Sequence, residues 1–431
     1  MKKLIASIAF LAISASLFAQ DVNKMIKQDD VERIIKTLAD DNMQGRGTFT
    51  PGIEKAAQFI EGEYKKIGLQ PLEGATGYRQ SFTLTRIVPL KLTVSINGKA
   101  LPKDSITIST TSNSVNWSNN SDVQIAQISG EKNFIAEYRN YLKTGKKMIV
   151  MVDPKFADIF KKISDRNARA GIKNKADDGQ QLVFVLGNYD IKSFDVAYET
   201  KVEESPLFNV AGMIPGKTKP NEYVIFSGHY DHLGILKPVQ GDSIANGADD
   251  DASGTTAVIT LAKYYKQLNN NARTLIFVAF TAEEIGGYGS QHFSKLLDPD
   301  KVVAMFNIEM IGKPSKFGEN SAFITGFERS DFGPILQKNL EGTVFKFYPD
   351  PYPDQQLFYR SDNATLAALG VPAHSISTDQ IDSDKLYHTV KDEISTLDMN
   401  NITATIRAIA LSSRTIVSGQ DTPKRIPKLQ Q

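Results

Sequence analysis

Apolar residues recur every three to four positions through DDVERIIKTLADD (29–41) and again through GIEKAAQFIEGEYKKIG (52–68), which predicts two amphipathic helices, the second stopped by Gly68. From residue 88 the period changes. VPLKLTVSINGK and SDVQIAQIS alternate like half-buried strands, KKMIVMVD and QLVFVLGN read as buried strands, and FADIFKKISDRNARAGI is the one helical stretch among them. The Asn and Ser residues crowded between 112 and 121 predict an exposed loop. Beyond residue 206 short apolar runs alternate with helical segments. EYVIFSG, RTLIFVAF, KVVAMFNI and VPAHSIS predict strands, and ASGTTAVITLAKYYKQL, GSQHFSKLL, DFGPILQKNL and MNNITATIRAIALSSRTIV predict helices. That alternation implies an α/β fold with a mostly parallel sheet sandwiched by helices.

The first residues follow another pattern. Lys2 and Lys3 precede a short apolar run, Leu4 to Ala19, that ends in small residues and is too short to span a bilayer comfortably. This predicts a secretory signal peptide over 1–20 and export to a periplasmic or extracellular location. The expected organisation is then an N-terminal helical part at 21–87, an inserted mostly β domain at 88–205, a main domain at 206–420 and a tail at 421–431.

With 431 residues, one large domain plus a smaller one is the natural division. A formal net charge of +1 offers no electrostatic case for nucleic acid or for a membrane after signal cleavage. The absence of cysteine removes disulfides, thiol nucleophiles and thiolate ligands, so a bound metal would need His, Asp and Glu. Oligomeric state leaves no trace in the sequence.

Candidate chemistry gathers at the ends of three predicted strands. EYVIFSG runs into His229-Tyr230-Asp231, RTLIFVAF into Glu283-Glu284, and KVVAMFNI into Glu309. In open α/β sheets ligands bind at the carboxyl ends of strands, so these side chains can converge. At His-x-Asp spacing, Asp231 can brace the imidazole of His229 while the other nitrogen binds metal. Asp249, Asp250 and Asp251 lie in a Gly-bounded loop that opens a helix; one or two could serve its N-terminus, and a carboxylate with two free oxygens can bridge two cations. Adjacent carboxylates such as Glu283 and Glu284 repel unless a cation lies nearby, and one can take a proton from water while the other binds metal. Of the five histidines, His388 sits in LYHTVKD, His232 adjoins the His-x-Asp pair as a supporting residue, and His292 and His374 are expected to be structural. There is no His-Glu-x-x-His helix and no Gly-x-Ser-x-Gly elbow, and Gly212 to Thr218 falls one residue short of a phosphate loop.

The segments VIFSGHYDHLG, NGADDDASGTTAV, RTLIFVAFTAEEIGGYGS, NIEMIGK and LYHTVKD together resemble the co-catalytic di-zinc exopeptidase family, which includes bacterial leucyl-type aminopeptidases, glutamate carboxypeptidase II, glutaminyl cyclases and the transferrin receptor. The resemblance is strong over about 206–415 and extends to 30–82; the 88–205 segment stands where that family carries its protease-associated domain, with a weak match. It implies two zinc ions, with His229 and Glu309 on one, Glu284 and His388 on the other and Asp250 between them. It further implies Glu283 as general base, Asp231 as orienter of His229, Tyr387 as donor to the substrate carbonyl, Arg360 as a substrate contact, and peptides as substrates. Glu309 departs from the family's usual aspartate, and Asn363 stands where Ser-Asp is often followed by His. Aminopeptidase action is the leading expectation, with glutaminyl cyclisation or non-catalytic binding on the same scaffold as alternatives. Loops near 286–288, 313–320 and 350–360 are expected to wall the side-chain pocket.

Overall fold

The computed structural model describes residues 22–119, 122–172 and 179–429, so the expected signal peptide lies outside the described residues. The chain divides into a larger unit, residues 1–82 with 207–431, and a smaller one, residues 83–206. These limits lie a few residues from the 88–205 expected from sequence.

In the larger unit, helices α1 (Gln28–Leu38) and α2 (Pro51–Ile67) occupy the stretches predicted. Thr50 caps α2 by accepting the Gly52 N–H, Pro51 opens its first turn, and Gly68 ends it in the left-handed conformation. Strands β1 (Lys219–His229), β2 (Arg273–Phe280), β3 (Val302–Ile308), β4 (Ser321–Ile324), β5 (Lys346–Pro349) and β6 (Ala373–Ser377) form a sheet in the order β5-β4-β6-β3-β1-β2, continued by residues 210–214 of the strand Phe194–Ile214. The four strands β2-β1-β3-β6 are mutually parallel, and β4 meets β6 antiparallel.

Helices α3 (Gly254–Leu268), α4 (Tyr288–Leu296), α5 (Phe332–Asn339), α6 (Asn363–Ala368) and α7 (Met399–Ser412) also belong to the unit. Alternate residues of each central strand enter different cores. Val224, Phe226, Leu275, Phe277, Ala304 and Phe306 pack with α1, α2, α3 and α7. Ile225, Ile276, Val278, Phe280 and Met305 pack on the other face with Phe293 of α4 and Leu366 of α6. A sheet buried on both faces explains why these strands read as continuous apolar runs.

The smaller unit holds a four-stranded sheet in the order Ile106–Thr110, Gln181–Leu186, Lys147–Val152, Gln124–Ile128, with the last three parallel. Helix Ala157–Asn167 matches the predicted one, and Phe134–Tyr141 adds a second. The polar 112–121 segment is not wholly a loop. Ser114–Trp117 pairs antiparallel with Val196–Glu199, burying Val115 and Trp117 while Ser114 and Asn116 stay exposed; its apolar positions are too few to stand out against the surrounding Asn and Ser.

Candidate active site

The parallel register brings the chemistry to one edge of the sheet. His229, the last residue of β1, lies beside Phe280, the last of β2, and Glu309 follows directly after β3. His229 is fully buried. Its Nδ1 lies 3.0 Å from the backbone carbonyl of Asp231, which fixes the proton on Nδ1 and leaves Nε2 free to face the site. That Nε2 lies 3.1 Å from Asp250 Oδ1 and 3.3 Å from Glu309 Oε1. On the other side, His388 Nε2 lies 3.2 Å from Asp250 Oδ2 and 3.0 Å from Glu284 Oε2. The two oxygens of Asp250 therefore face two separate groups of donors.

The three successive aspartates are divided among three tasks. Asp249 accepts the Gly312 N–H at 2.7 Å and pairs with Lys313 at 3.1 Å. Asp251 turns inward and accepts the amides of His229, Gly254 and Met310 at 3.0–3.1 Å, tying the ends of β1 and β3 to the start of α3. Asp250 alone meets the imidazoles. Asp392 holds this loop by accepting the amides of Asp249 and Asp250.

Arg46, which sequence reasoning missed, supports the site from behind. It is fully buried, and its guanidinium donates to the carbonyls of Tyr230 (2.8 Å), Leu38 (2.8 Å), Asn246 (2.5 Å) and Gly247 (2.8 Å). It thus grips both the tip of β1 and the Asp250 loop. Its only trace in the sequence is a Gly-Arg-Gly run between two helices.

Asp231 differs from expectation in how it acts. Its carbonyl, rather than its carboxylate, meets His229 Nδ1; the nearer carboxylate oxygen stands at 3.7 Å. The carboxylate instead accepts the amides of Glu283 (3.1 Å) and Glu284 (3.3 Å) and the Thr48 hydroxyl (3.1 Å). Glu309 is steadied by the Ser361 hydroxyl at 2.6 Å. Glu283 reaches to 4.0 Å from His229 Nε2. His292 stacks on Phe82, and His374 is buried between Ser330 and Thr325, both away from the donor groups.

Carboxylates outnumber imidazoles here, and their acidities show it. Burial, with Glu309, Asp362 and Glu284 nearby, holds the Glu283 carboxyl well above the usual range. Burial pushes Asp362 up to about 7. Burial opposes ionisation of Asp250 too, but His229 and His388 outweigh it and hold Asp250 well below the usual range. Two donors on one zinc in tetrahedral geometry lie about 3.3–3.6 Å apart, from bond lengths of about 2.0–2.2 Å. The 3.0–3.3 Å separations on both sides of Asp250 lie at or just under the short end of that range, and the all-His, Asp and Glu donor set suits zinc, so the residues fit a pair of zinc ions.

A cavity of about 80 Å³ adjoins the donors, lined by Glu283, Glu309, Tyr387 and Arg360, with Met310, Phe323, Leu357 and Ile381 as apolar wall. Tyr387 stacks on His388 with ring centroids 3.8 Å apart. Arg360 is exposed and donates to the Gln355 side chain at 3.1 Å. Of the loops expected to form the pocket, only 350–360 contributes to this wall; the strand ends at 323–325 and 375–377 take the place of 286–288 and 313–320.

Residues 209–412 match the profile of Peptidase family M28. Leucine aminopeptidase 1 of Ajellomyces capsulatus is 28% identical over 224 residues, 48% of this chain and 56% of the relative. Aminopeptidase NAALADL1 of Mus musculus is 30% identical over 125 residues, 27% of this chain and 15% of its own length. The chain thus spans about half the length of the leucine aminopeptidases it matches. Among solved structures, an aminopeptidase from Aneurinibacillus sp. strain AM-1 superposes with a TM-score of 0.58 at 18% identity, over 96% of this chain and 97% of that one. A zinc aminopeptidase from Bacillus subtilis does so with a TM-score of 0.58 at 16% identity, over 92% and 97%. These two structures share the fold.

Proposed function

We propose that this chain, whose residues 209–412 match the profile of Peptidase family M28, is a member of that family and a two-zinc aminopeptidase that removes residues from the free amino end of peptides. One observation carries the reading: the two oxygens of Asp250 face two distinct donor groups at zinc-like separations. The similarity to leucine aminopeptidases supports the choice of substrate end. Export is part of the proposal and rests on the Lys2-Lys3 and apolar pattern.

His229, Asp250 and Glu309 would hold one ion, and Asp250, Glu284 and His388 the other. When bound, the pair supplies Lewis acidity toward the scissile carbonyl and lowers the pKa of a coordinated water. Glu283, at the mouth of the cavity, accepts the proton of the attacking water and returns it to the departing amine. Tyr387, whose phenol burial holds above its ordinary acidity range, stays protonated and donates to the oxyanion. The cavity receives the side chain of the amino-terminal residue, and Arg360 stands at its rim.

Purified protein assayed on aminoacyl chromogenic substrates, with the amine free or acetylated and with or without chelator, tests this. Chelator-sensitive hydrolysis of the free-amine substrates alone is the expected result. Cyclisation of an amino-terminal glutamine, or no zinc in the protein, would overturn it.

A further inference from the structure

We propose that Lys313 is a positioning residue of the metal centre: its ammonium ties the Asp250 loop to the segment that presents Tyr387 and His388. The proposal rests on reading the site as a two-metal centre and deepens it by naming what holds its most exposed ligand in place.

His229 and Glu309 are set by the ends of β1 and β3, and Asp250 and Glu284 by buried loops held through their amides. His388 has no such frame. It lies between β6 and the helical turn Ile394–Thr396, where the described residues form neither strand nor longer helix. Its side chain is 38% exposed, against 19% or less for the other four. Its backbone is left-handed, with φ at +57°, which a residue other than glycine seldom holds without support.

Support comes from two anchors, one on each side of Tyr387 and His388. Downstream, Asp392 accepts the amides of Asp249 and Asp250, each at 3.0 Å. Upstream, Lys313 Nζ lies 2.6 Å from Asp384 Oδ2 and 3.1 Å from Asp249 Oδ2. The other oxygen of Asp384 accepts the Leu386 amide at 2.8 Å, so this anchor reaches the residue before Tyr387. Asp249 directly precedes Asp250, and both anchors therefore end on the Asp250 loop. The backbone of Lys313 is fixed as well, because Asn401 Nδ2 donates to its carbonyl at 2.8 Å.

The ammonium is what lets these acids meet. Asp249, Asp379 and Asp384 each offer an oxygen within 4.8 Å of the others, and Lys313 already stands against two of them as their counter-charge. Burial opposes its ionisation, but Asp249 and Asp384 outweigh burial and hold the amine above its ordinary pKa, so the charge persists. Without it, like-charged carboxylates face one another and the Asp384 segment parts from Asp249. The Asp250 loop keeps its bonds to Asp392 and Arg46, so the loss falls on the 3.2 Å approach of His388 to Asp250 and spares that of His229.

Cobalt(II) titration of the full metal-free chain, read by chelator competition, tests this apart from turnover. The wild-type chain should take two ions. Lys313→Met should weaken one of them about 10- to 100-fold, the range for lost support of a metal ligand, and leave the other within about 2-fold. Lys313→Arg, which keeps a charged donor between the two carboxylates, should recover most of that loss. In His388→Gln, where the supported ligand is already gone, adding Lys313→Met should cost no more than about 2-fold. Should Lys313→Met not fold, Asp384→Asn, which weakens the other end of the tie, carries the same expectation. Two ions held with wild-type affinity, or equal loss at both positions, overturns the proposal and leaves the two-metal reading standing. A wild-type chain that takes fewer than two ions sinks the reading beneath it.

Discussion

The carboxylate of Asp231 accepts the backbone N–H of Glu283 at 3.1 Å, so the residue two places beyond His229 at the tip of β1 fixes the position of the expected proton acceptor after β2. Its second oxygen takes the Glu284 amide and the Thr48 hydroxyl. Asp231→Asn replaces one acceptor oxygen with an amide nitrogen that faces donors. We expect metal affinity and kcat/KM to fall about 10- to 100-fold, the range for lost support of metal ligands. Competition with a chromogenic chelator measures the first; unchanged affinity would show that the Asp231 carboxylate does not position Glu284.

Glu283→Gln keeps the shape of the side chain and removes its basicity. Because Glu283 is assigned to the proton and not to the metal, the variant should bind two zinc ions and lose about 10²- to 10⁴-fold in kcat. Elemental analysis beside steady-state kinetics separates the effects. Zinc loss in parallel with activity would reassign Glu283 as a ligand.

Arg46→Met leaves the carbonyls of Tyr230, Leu38, Asn246 and Gly247 without their donor inside the protein. Removing one partner from such a buried charged network costs about 3–5 kcal/mol. A urea midpoint lowered to match is expected, together with weaker zinc binding. A shift below about 1 kcal/mol would mean that the Asp250 loop holds its shape unaided.

His374 gives a pH dependence away from the metal site. Burial lowers its pKa to about 4, against a usual 6.5, and its Nδ1–H donates to the Thr325 carbonyl at 2.8 Å. Between pH 6.5 and 4 the unfolded chain binds a proton at this residue and the native chain does not. Stability from this group is therefore complete above pH 6.5 and is lost as pH falls toward 4, by about 3 kcal/mol in all. His374→Gln removes that slope, so the wild-type advantage over the variant should shrink on acidification. A constant difference across that window would contradict the assignment.

If the site holds metal, stripping it should lower thermal stability, because the carboxylates of Asp250, Glu283, Glu284 and Glu309 then face one another with only the imidazoles beside them to offset the repulsion. Each ion contributes about 2.7 kcal/mol when free metal is 100 times its Kd. Calorimetry with and without chelator, followed by zinc readdition, reads this directly; an unchanged transition would argue against binding by the native state.

The candidate site residues at the sheet edge were legible because their signal is local: a buried strand that ends in His229, another that ends shortly before Glu283 and Glu284, a third that ends directly before Glu309. What sequence could not supply were partners set by folding across long separations. Arg46 meets Asn246 and Gly247 some two hundred positions away, and nothing around a Gly-Arg-Gly run marks that meeting. The task of each aspartate from 249 to 251 depends on which amides fold against it. Strands β4 and β5 are four residues each, shorter than the runs that periodicity resolves, and so escaped the reading. His232 was visible only as a neighbour of the His-x-Asp pair; its approach to Glu284 follows from the ring lying over Gly247.

The buried guanidinium of Arg46 also bears on the order in which the site can be assembled as the chain is made. Of its acceptor carbonyls, those of Tyr230, Asn246 and Gly247 are made long after it, and His388 later still. A partly synthesised chain, or a fragment cut between these points, holds only part of the candidate site, so the proposed activity would require the whole stretch from Arg46 to His388 in one folded unit.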